Sequence, residues 1–530
     1  LEAAETQYRI AELSISDDSH NSETRYALFE GLGVTLMNRG KYDQAEHYLL
    51  QALNYTSNSE SAAHLNLKIG ELRIRTGDVI NAAKAIEHGL VCLGEADQSQ
   101  LARRLLGLPF YVFAHTIRCM IPRSLNQRLR SKELSPRKRL IMQLHNRLAY
   151  AYWFLHGSYR SMLPHYRSLY IGESHRPSLE LLHAYTGHGL ILSVIGFHRD
   201  AIRYCDMAQT LQDQVGDQWS AGQYRNFYGV IEFGITHYRE CLELCGDAAI
   251  HLGAVGDLWE YNVANSTMAF ALYSLGNLSD SHKLILKSFE RCRDIGDYVN
   301  QALLLQGWSM ATLGNAPEEE ITRVLARAAN NDFQAHVECL LAQTYNRLYR
   351  REYRDALEHA KHAQSLFKGR VISLSYIQTT LPTLAMSWRL YLESLDSDLN
   401  GTSSIQAKKK EGRKEWKRAV QLALIFSHIY PNHRPHALRE AAFYEAKNSR
   451  GGAARKRIQQ SILVAHQHGA KFELALSLLA YSLMSRRFGW EDADNLREDA
   501  LQILRRESIH EEAVRALLEA HPQETLECSH

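Results

Sequence analysis

The chain of 530 residues carries 61 Lys and Arg against 59 Asp and Glu, so it lacks the global field that draws a protein onto nucleic acid or an acidic membrane. Apolar residues make up 45% and prolines number only 10, which suits long uninterrupted helices and argues against disorder in the bulk. The eight cysteines (Cys92, Cys119, Cys205, Cys241, Cys245, Cys292, Cys339 and Cys528) show no CxxC spacing, unlike a disulfide framework or a zinc ribbon, and fit a reducing compartment.

The N-terminus, Leu1-Glu-Ala-Ala-Glu, lacks the basic and apolar regions of a signal peptide, and no stretch reaches the roughly 18 apolar residues of a membrane span. The expected location is therefore cytoplasmic. An amphipathic pattern is already running at Ala4, Tyr8, Ile10, Ala11 and Leu13, as in a helix cut from a longer protein. The first hairpin places Leu32, Gly33 and Leu36 on one helix, then Gly40-x-Tyr42-x-x-Ala45 with Leu49 and Ala52 on the next. This pattern resembles the tetratricopeptide repeat. A second hairpin runs from about Ser61 to Leu93 around Thr76-Gly77-Asp78.

Residues 1–97 are thus expected to be tetratricopeptide-like hairpins. Segment 98–139 breaks the repeat with an apolar run from Leu105 to Ala114, then with the basic residues Arg123, Arg128, Arg130, Lys132, Arg137, Lys138 and Arg139. That combination suits docking to an acidic surface on an attached domain or protein partner.

Residues 140–370 carry the regular signal. Val215-Gly216-Asp217-Gln218-Trp219, Val255-Gly256-Asp257-Leu258-Trp259 and Ile295-Gly296-Asp297-Tyr298-Val299 recur every 40 residues. Glycine suits the left-handed position that ends one helix, and the following Asp can accept the free amides that start the next. A second series, Gly196, Gly234, Gly276 and Gly314, divides each period into two helices. Small residues thirteen positions beyond each joint glycine (Gly229, Ala269, Ser309) let neighbouring helices approach closely. Beyond residue 370 the register becomes irregular, so 371–530 reads as further helical repeats interrupted by a polar loop at 395–405.

A single hairpin cannot bury its apolar face alone, so the hairpins must stack. The expected fold is all-α: a tetratricopeptide-like α-α superhelical solenoid of about ten or eleven helix hairpins.

No chemistry stands out along the chain. His237, Cys241 and Cys245 share a helical stripe, but Cys behaves as a small apolar residue and no fourth ligand is evident, so no metal is expected. Trp153, Trp219, Trp259, Trp308 and Trp388 could form aromatic pockets, although their spacing favours core anchors between repeats. His183 with His188, and His466 with His468, show no Ser or Cys nucleophile with a partnered acid, so neither catalytic residues nor a cofactor are expected. A second basic run, Lys408, Lys409, Lys410, Arg413, Lys414, Lys417 and Arg418, reads as a solvated face. Aligning the three regular repeats puts Arg225, Asn226, Asn262, Asn265, Gln301 and Gln306 on comparable helix faces, candidates for holding a protein partner in a concave groove.

From Leu148 to Asp297 the sequence resembles the helical-repeat region of large bacterial signalling proteins, in which an AAA-type or related signal-transduction ATPase is coupled to a serine/threonine kinase, histidine kinase or cyclase. The stretches that carry this are Arg147-Leu-Ala-Tyr-Ala-Tyr-Trp-Phe154, Pro177-Ser-Leu-Glu-Leu-Leu182, Gln223-Tyr-Arg-Asn-Phe-Tyr-Gly229 and Gly256-Asp-Leu-Trp-Glu-Tyr-Asn262. The resemblance implies a non-catalytic protein-interaction and regulatory arm that biases an attached output domain. GxxxxGK[ST], HRD and DFG are all absent, so ATPase and kinase chemistry do not carry over. The alternative is a small-ligand sensor arm similar to the repeats of maltose-type transcription activators. A long open polar groove would favour the first, a deep closed cavity the second.

Overall fold

The computed structural model describes residues 1–14, 22–76, 78–95, 101–121, 132–156, 158–328, 332–366, 375–396 and 403–520. Among the described residues there is no strand. A leading helix, α1 (Glu2–Ser14), is followed by hairpins of α2 (Ser22–Asn38) with α3 (Tyr42–Leu53) and α4 (Ser59–Arg75) with α5 (Val79–Cys92). Helix α6 (Leu101–Met120) stands outside the pairing. Five hairpins follow: α7 (Pro136–His156) with α8 (Ser158–Gly172), α9 (Leu179–Val194) with α10 (His198–Val215), α11 (Gln218–Gly234) with α12 (Tyr238–Val255), α13 (Leu258–Ser274) with α14 (Leu278–Asp294), and α15 (Tyr298–Ala311) with the short α16 (Glu318–Ala328). The remainder comprises α17 (Phe333–Tyr349) with α18 (Tyr353–Leu366), the single turn α19 (Ser375–Gln378), α20 (Thr380–Ser394) with α21 (Ser403–Phe426), α22 (Arg434–Lys447) with α23 (Gly451–Gln467), α24 (Lys471–Phe488) with α25 (Ala493–Arg505), and the short α26 (Glu511–Arg515). The chain is therefore an all-α solenoid of successive helix pairs, in the number expected. Gly77, most of the 395–405 loop, Arg123, Arg128, Arg130 and Cys528 lie outside the described residues.

The joint aspartates cap helices as their position predicts. Asp217 accepts a hydrogen bond from the Ser220 amide at 2.8 Å, Asp257 from Glu260 at 3.2 Å and Asp297 from Asn300 at 3.1 Å. The joint glycines are less uniform. Gly256 and Gly296 are left-handed, with φ of 79° and 73°, whereas Gly216 is extended with φ of −71°. In the second series Gly196, Gly276 and Gly314 have positive φ, but after Gly234 the left-handed residue is Thr236. The small residues act as proposed: a Cβ on Gly229 would lie 2.3 Å from Cys245 Sγ, so the two helices of that hairpin touch backbone to side chain.

The two glycine series mark the two edges of the solenoid, and each edge meets another superhelical turn. At one edge the N-terminal hairpin reaches the later joints. A Cβ on Gly40 would lie 2.9 Å from Ile295 Cγ2, and one on Gly256 would lie 2.8 Å from Leu1 Cδ1. Arg75 closes the gap with an ion pair to Asp257 at 3.3 Å. At the other edge the C-terminal repeats pack on the second series: Tyr430 donates to the Val194 carbonyl at 3.0 Å, and a Cβ on Gly276 would lie 3.0 Å from Lys471 Cβ. The superhelix is wound tightly enough for its turns to touch.

Candidate functional site: an aromatic cavity inside the superhelix

Closure of the first turn bounds a partly open cavity of about 530 Å³, within the range of small-molecule sites. Its wall is built from the inner helices α2, α4, α7, α9, α11, α13, α15 and α17, with Ser161 and His165 from α8. Trp153, Trp219 and Trp259, with Tyr150 and Phe227, supply the aromatic part. Trp308 and Trp388 do pack as anchors, against Phe289 and Tyr391 respectively. Trp219 packs on the core around Phe233 and Leu252 while also lining the cavity, so the core expectation is corrected for Trp153 and Trp259. Spacing alone did not separate the two groups: Trp308 sits on α15, itself an inner helix, but its ring packs on Phe289 of α14 and takes no part in the cavity wall.

The charges of the cavity form one network. Glu71 pairs with Lys68 at 3.2 Å and with Arg147 at 3.1 Å, and the Arg147 guanidinium lies 5.7 Å from the Trp219 ring centroid. Asp257 accepts from the Trp219 indole at 2.8 Å while holding Arg75. Burial opposes the Glu71 charge, but Lys68, Arg147 and Arg75 outweigh it and hold the carboxyl at about 2. Glu260 has the reverse balance. Burial, with the Asp257 charge beside it, lifts its carboxyl to about 7. Burial and then Arg147 push the His183 imidazole down to about 3, so it is neutral.

Three polar atoms of the wall are buried without a hydrogen bond: Gln223 Oε1, His183 Nε2 and Trp259 Nε1. Gln223 as a residue is 5% exposed. Burying such groups unpaired costs about 1–3 kcal/mol each, and none of the three atoms is itself open to the cavity in this conformation.

The residues proposed from repeat alignment lie elsewhere. Asn226 is fully buried and donates to Glu260 Oε2 at 2.7 Å; Asn262, also buried, donates to Asp297 Oδ2 at 3.1 Å. Asn265 donates to the Tyr261 carbonyl at 2.8 Å, and Gln301 donates to the Cys292 carbonyl at 3.2 Å while accepting from Arg323 at 2.6 Å. Gln306 is buried and faces a separate small cavity beside Tyr273 and Tyr345. Half-buried Arg225 donates to the Ala221 carbonyl at 3.0 Å. Asn226 and Asn262 thus tie one inner helix to the next, and none of the six is part of the cavity wall. Of the basic run, Arg137 donates to the Leu93 carbonyl at 2.7 Å, Lys138 meets His175 at 3.1 Å, and Arg139 lies 3.6 Å from Glu180.

On the stripe first considered for metal, Cys241 and Cys245 are wholly buried among Phe233, Ala248 and Leu252, while His237 meets Glu232 at 2.6 Å. No described helix is long and apolar enough to cross a membrane. No family model matches the sequence, and no curated protein matches it. Among solved structures the chain is similar to the APC/C hetero-tetramer Cut9-Hcn1, at 12% identity, with 94% of each chain covered and a TM-score of 0.33. So loose a likeness says nothing about this chain's partners.

Proposed function

We propose that the chain is a non-catalytic sensor arm whose superhelix closes around a small amphipathic ligand. The ligand has a flat, largely apolar body that packs on Trp153, Trp219 and Trp259, and polar groups that meet the Lys68–Glu71–Arg147 charges of the wall. The observation that carries this reading is the cavity itself: an aromatic space of small-molecule size whose wall also carries the Lys68, Glu71 and Arg147 charges. Of the two roles weighed from sequence, a cavity of this size supports ligand sensing over a groove for an extended peptide. Because first-turn hairpins and later joints share the cavity wall, occupancy would tighten the winding, and an attached output domain would read that change. Coupling to a bacterial ATPase, kinase or cyclase is the context in which such an arm fits.

The test is a melting screen of the full chain against planar aromatic and heteroaromatic acids, amides and alcohols, read also by tryptophan fluorescence. Compounds that fit should raise the melting temperature and quench emission, with both effects reduced in Gln223→Leu and Trp259→Phe. A broad screen in which no compound shifts either signal, or in which hits bind both variants unchanged, would overturn the assignment.

The outer surface supports a second reading. Phe110, Phe113, Ile117 and Met120 on α6 are all exposed, an apolar face of the kind that docks proteins. Together with Arg137, Lys138 and Arg139 it suits a protein partner or an attached domain with an acidic surface.

A further inference from the structure

Helix α6 carries a nucleophile that its sequence alone does not reveal. Cys119 and His115 lie one turn apart, and the acid that completes the group comes from the end of α8, more than fifty residues along the chain. His115 Nδ1 lies 3.1 Å from Glu173 Oε2, and its Nε2 lies 2.8 Å from the Tyr204 hydroxyl of α10 and 3.7 Å from Cys119 Sγ. Tyr204 also reaches the sulfur, at 3.3 Å. Glu173 is held in place by Tyr185, which donates to Oε1 at 3.3 Å, and by Arg118 at 3.8 Å. His115 and Glu173 are buried, whereas Cys119 is exposed.

The roles follow from the donors. With both ring nitrogens protonated, His115 donates from Nδ1 to Glu173 and from Nε2 toward Tyr204 and the sulfur, leaving the Tyr204 hydroxyl free to donate to a thiolate. Burial works against a charged His115, but Cys119 and Glu173 outweigh it and lift the imidazole to about 9. Burial likewise favours the neutral thiol, yet the bonds from His115 and Tyr204 bring Cys119 below the ordinary thiol value. The other histidines of the cluster stay neutral: burial and His115 push His165 down to about 3, and His188, bonded to it at 2.9 Å, is also lowered by burial. Arg118, Tyr166 and Tyr185 are the remaining titratable or charged groups around the site.

We propose that Cys119 is a modification site, a surface thiolate paired with His115 and Tyr204 that is oxidised by small hydroperoxides to a sulfenic acid. The thiolate sulfur attacks the terminal oxygen of the hydroperoxide. An S–O bond forms as the O–O bond breaks; the sulfur is oxidised by two electrons and the peroxide is reduced. The departing hydroxide or alkoxide takes the proton from His115 Nε2 and leaves as water or alcohol. The neutral imidazole that remains is still held through Nδ1–H by Glu173. Oxidation would thus remove both charges of the thiolate–imidazolium pair and mark the α6 surface.

The experiment follows Cys119 in the full chain by peptide mass spectrometry. Iodoacetamide labelling between pH 5 and 9 should show a midpoint below that of the same cysteine in urea. His115→Gln should abolish that difference, and Tyr204→Phe should shrink it while leaving the helical spectrum unchanged. Hydrogen peroxide followed by dimedone should give an adduct at Cys119, formed more slowly in Tyr204→Phe. The proposal is overturned if folded and unfolded midpoints coincide, if the folded shift survives in a helical His115→Gln chain, or if peroxide yields no dimedone adduct at Cys119.

Discussion

Glu260 shows how a single residue of the cavity responds to its surroundings. It starts α13 three residues after Asp257, is 3% exposed, and is raised to about 7 by burial first and then by its neighbour's charge. A carboxyl whose folded value lies above its unfolded value, near 4.3, binds its proton more tightly in the folded state. Its contribution to stability is therefore complete below about pH 4.3 and is lost as pH rises toward 7. The loss should be on the order of 3–4 kcal/mol, and Glu260→Gln should remove it. Urea unfolding at pH 5 and pH 8 checks this, since the variant should fall less between the two than the native chain does. An equal fall in both would mean that Glu260 is ionised without penalty. Glu71 responds in the opposite sense: held at about 2 by Lys68, Arg147 and Arg75 against burial, it contributes above about pH 4.3 and loses that contribution as pH falls toward 2.

At the scale of helices, Arg389 of α20 organises the C-terminal repeats. Its side chain is 1% exposed, pairs with the wholly buried Glu440 of α22 at 2.8 Å, and donates to the carbonyls of Leu517 and Leu518 at 2.7 Å each. Those carbonyls follow α26 and have no further helical turn to accept. Arg389→Met should cost about 3–5 kcal/mol because it leaves Glu440 charged, buried and unpaired. The Arg389→Met/Glu440→Met double variant should recover part of that loss, and comparing thermal melts of the two measures how much of the penalty is the stranded carboxylate. Such a pair also shows what was legible in the sequence. Over 140–370 the helices repeat through local signals, Asp caps and small residues at fixed offsets, and each could be read before any contact was known. Past residue 370 the repeats are joined by long-range charge pairs such as Arg389–Glu440 and Arg439–Glu473, which leave no period behind. The same limit hid the candidate sites. The alignment that selected Asn226 and Asn262 found a real recurrence of polar side chains, but their repeat position is spent on the next helix. Trp153, Trp219 and Trp259 came together only through winding, and His115, the partner of Cys119, met Glu173 only through the packing of α6.

For the whole molecule the decisive contact is the one that converts an open arc into a ring. Arg75, at the C-terminal end of α4, and Asp257, before α13, are 182 positions apart in sequence and both are largely buried. Asp257 also caps α13 and accepts from Trp219, so the closing ion pair, a helix start and the aromatic wall share one carboxylate. Arg75→Met leaves that carboxylate with its cap and indole bonds but removes its cation, at a cost of about 3–5 kcal/mol if the ring stays shut. The chain has a cheaper response, since the first two hairpins can swing away from the joint and let water reach Asp257 without unfolding any helix. Small-angle scattering should therefore show a larger radius of gyration for Arg75→Met, while circular dichroism shows native helix content. Opening the wall also exposes the cavity to solvent, so a ligand found by the melting screen should bind the variant roughly tenfold more weakly, a difference of about 1.4 kcal/mol. By linkage, that ligand should close the variant again at high concentration and return its scattering curve toward the native one. A variant that remains compact and binds with native affinity would show that contacts such as Gly40 on Ile295 hold the ring without the ion pair.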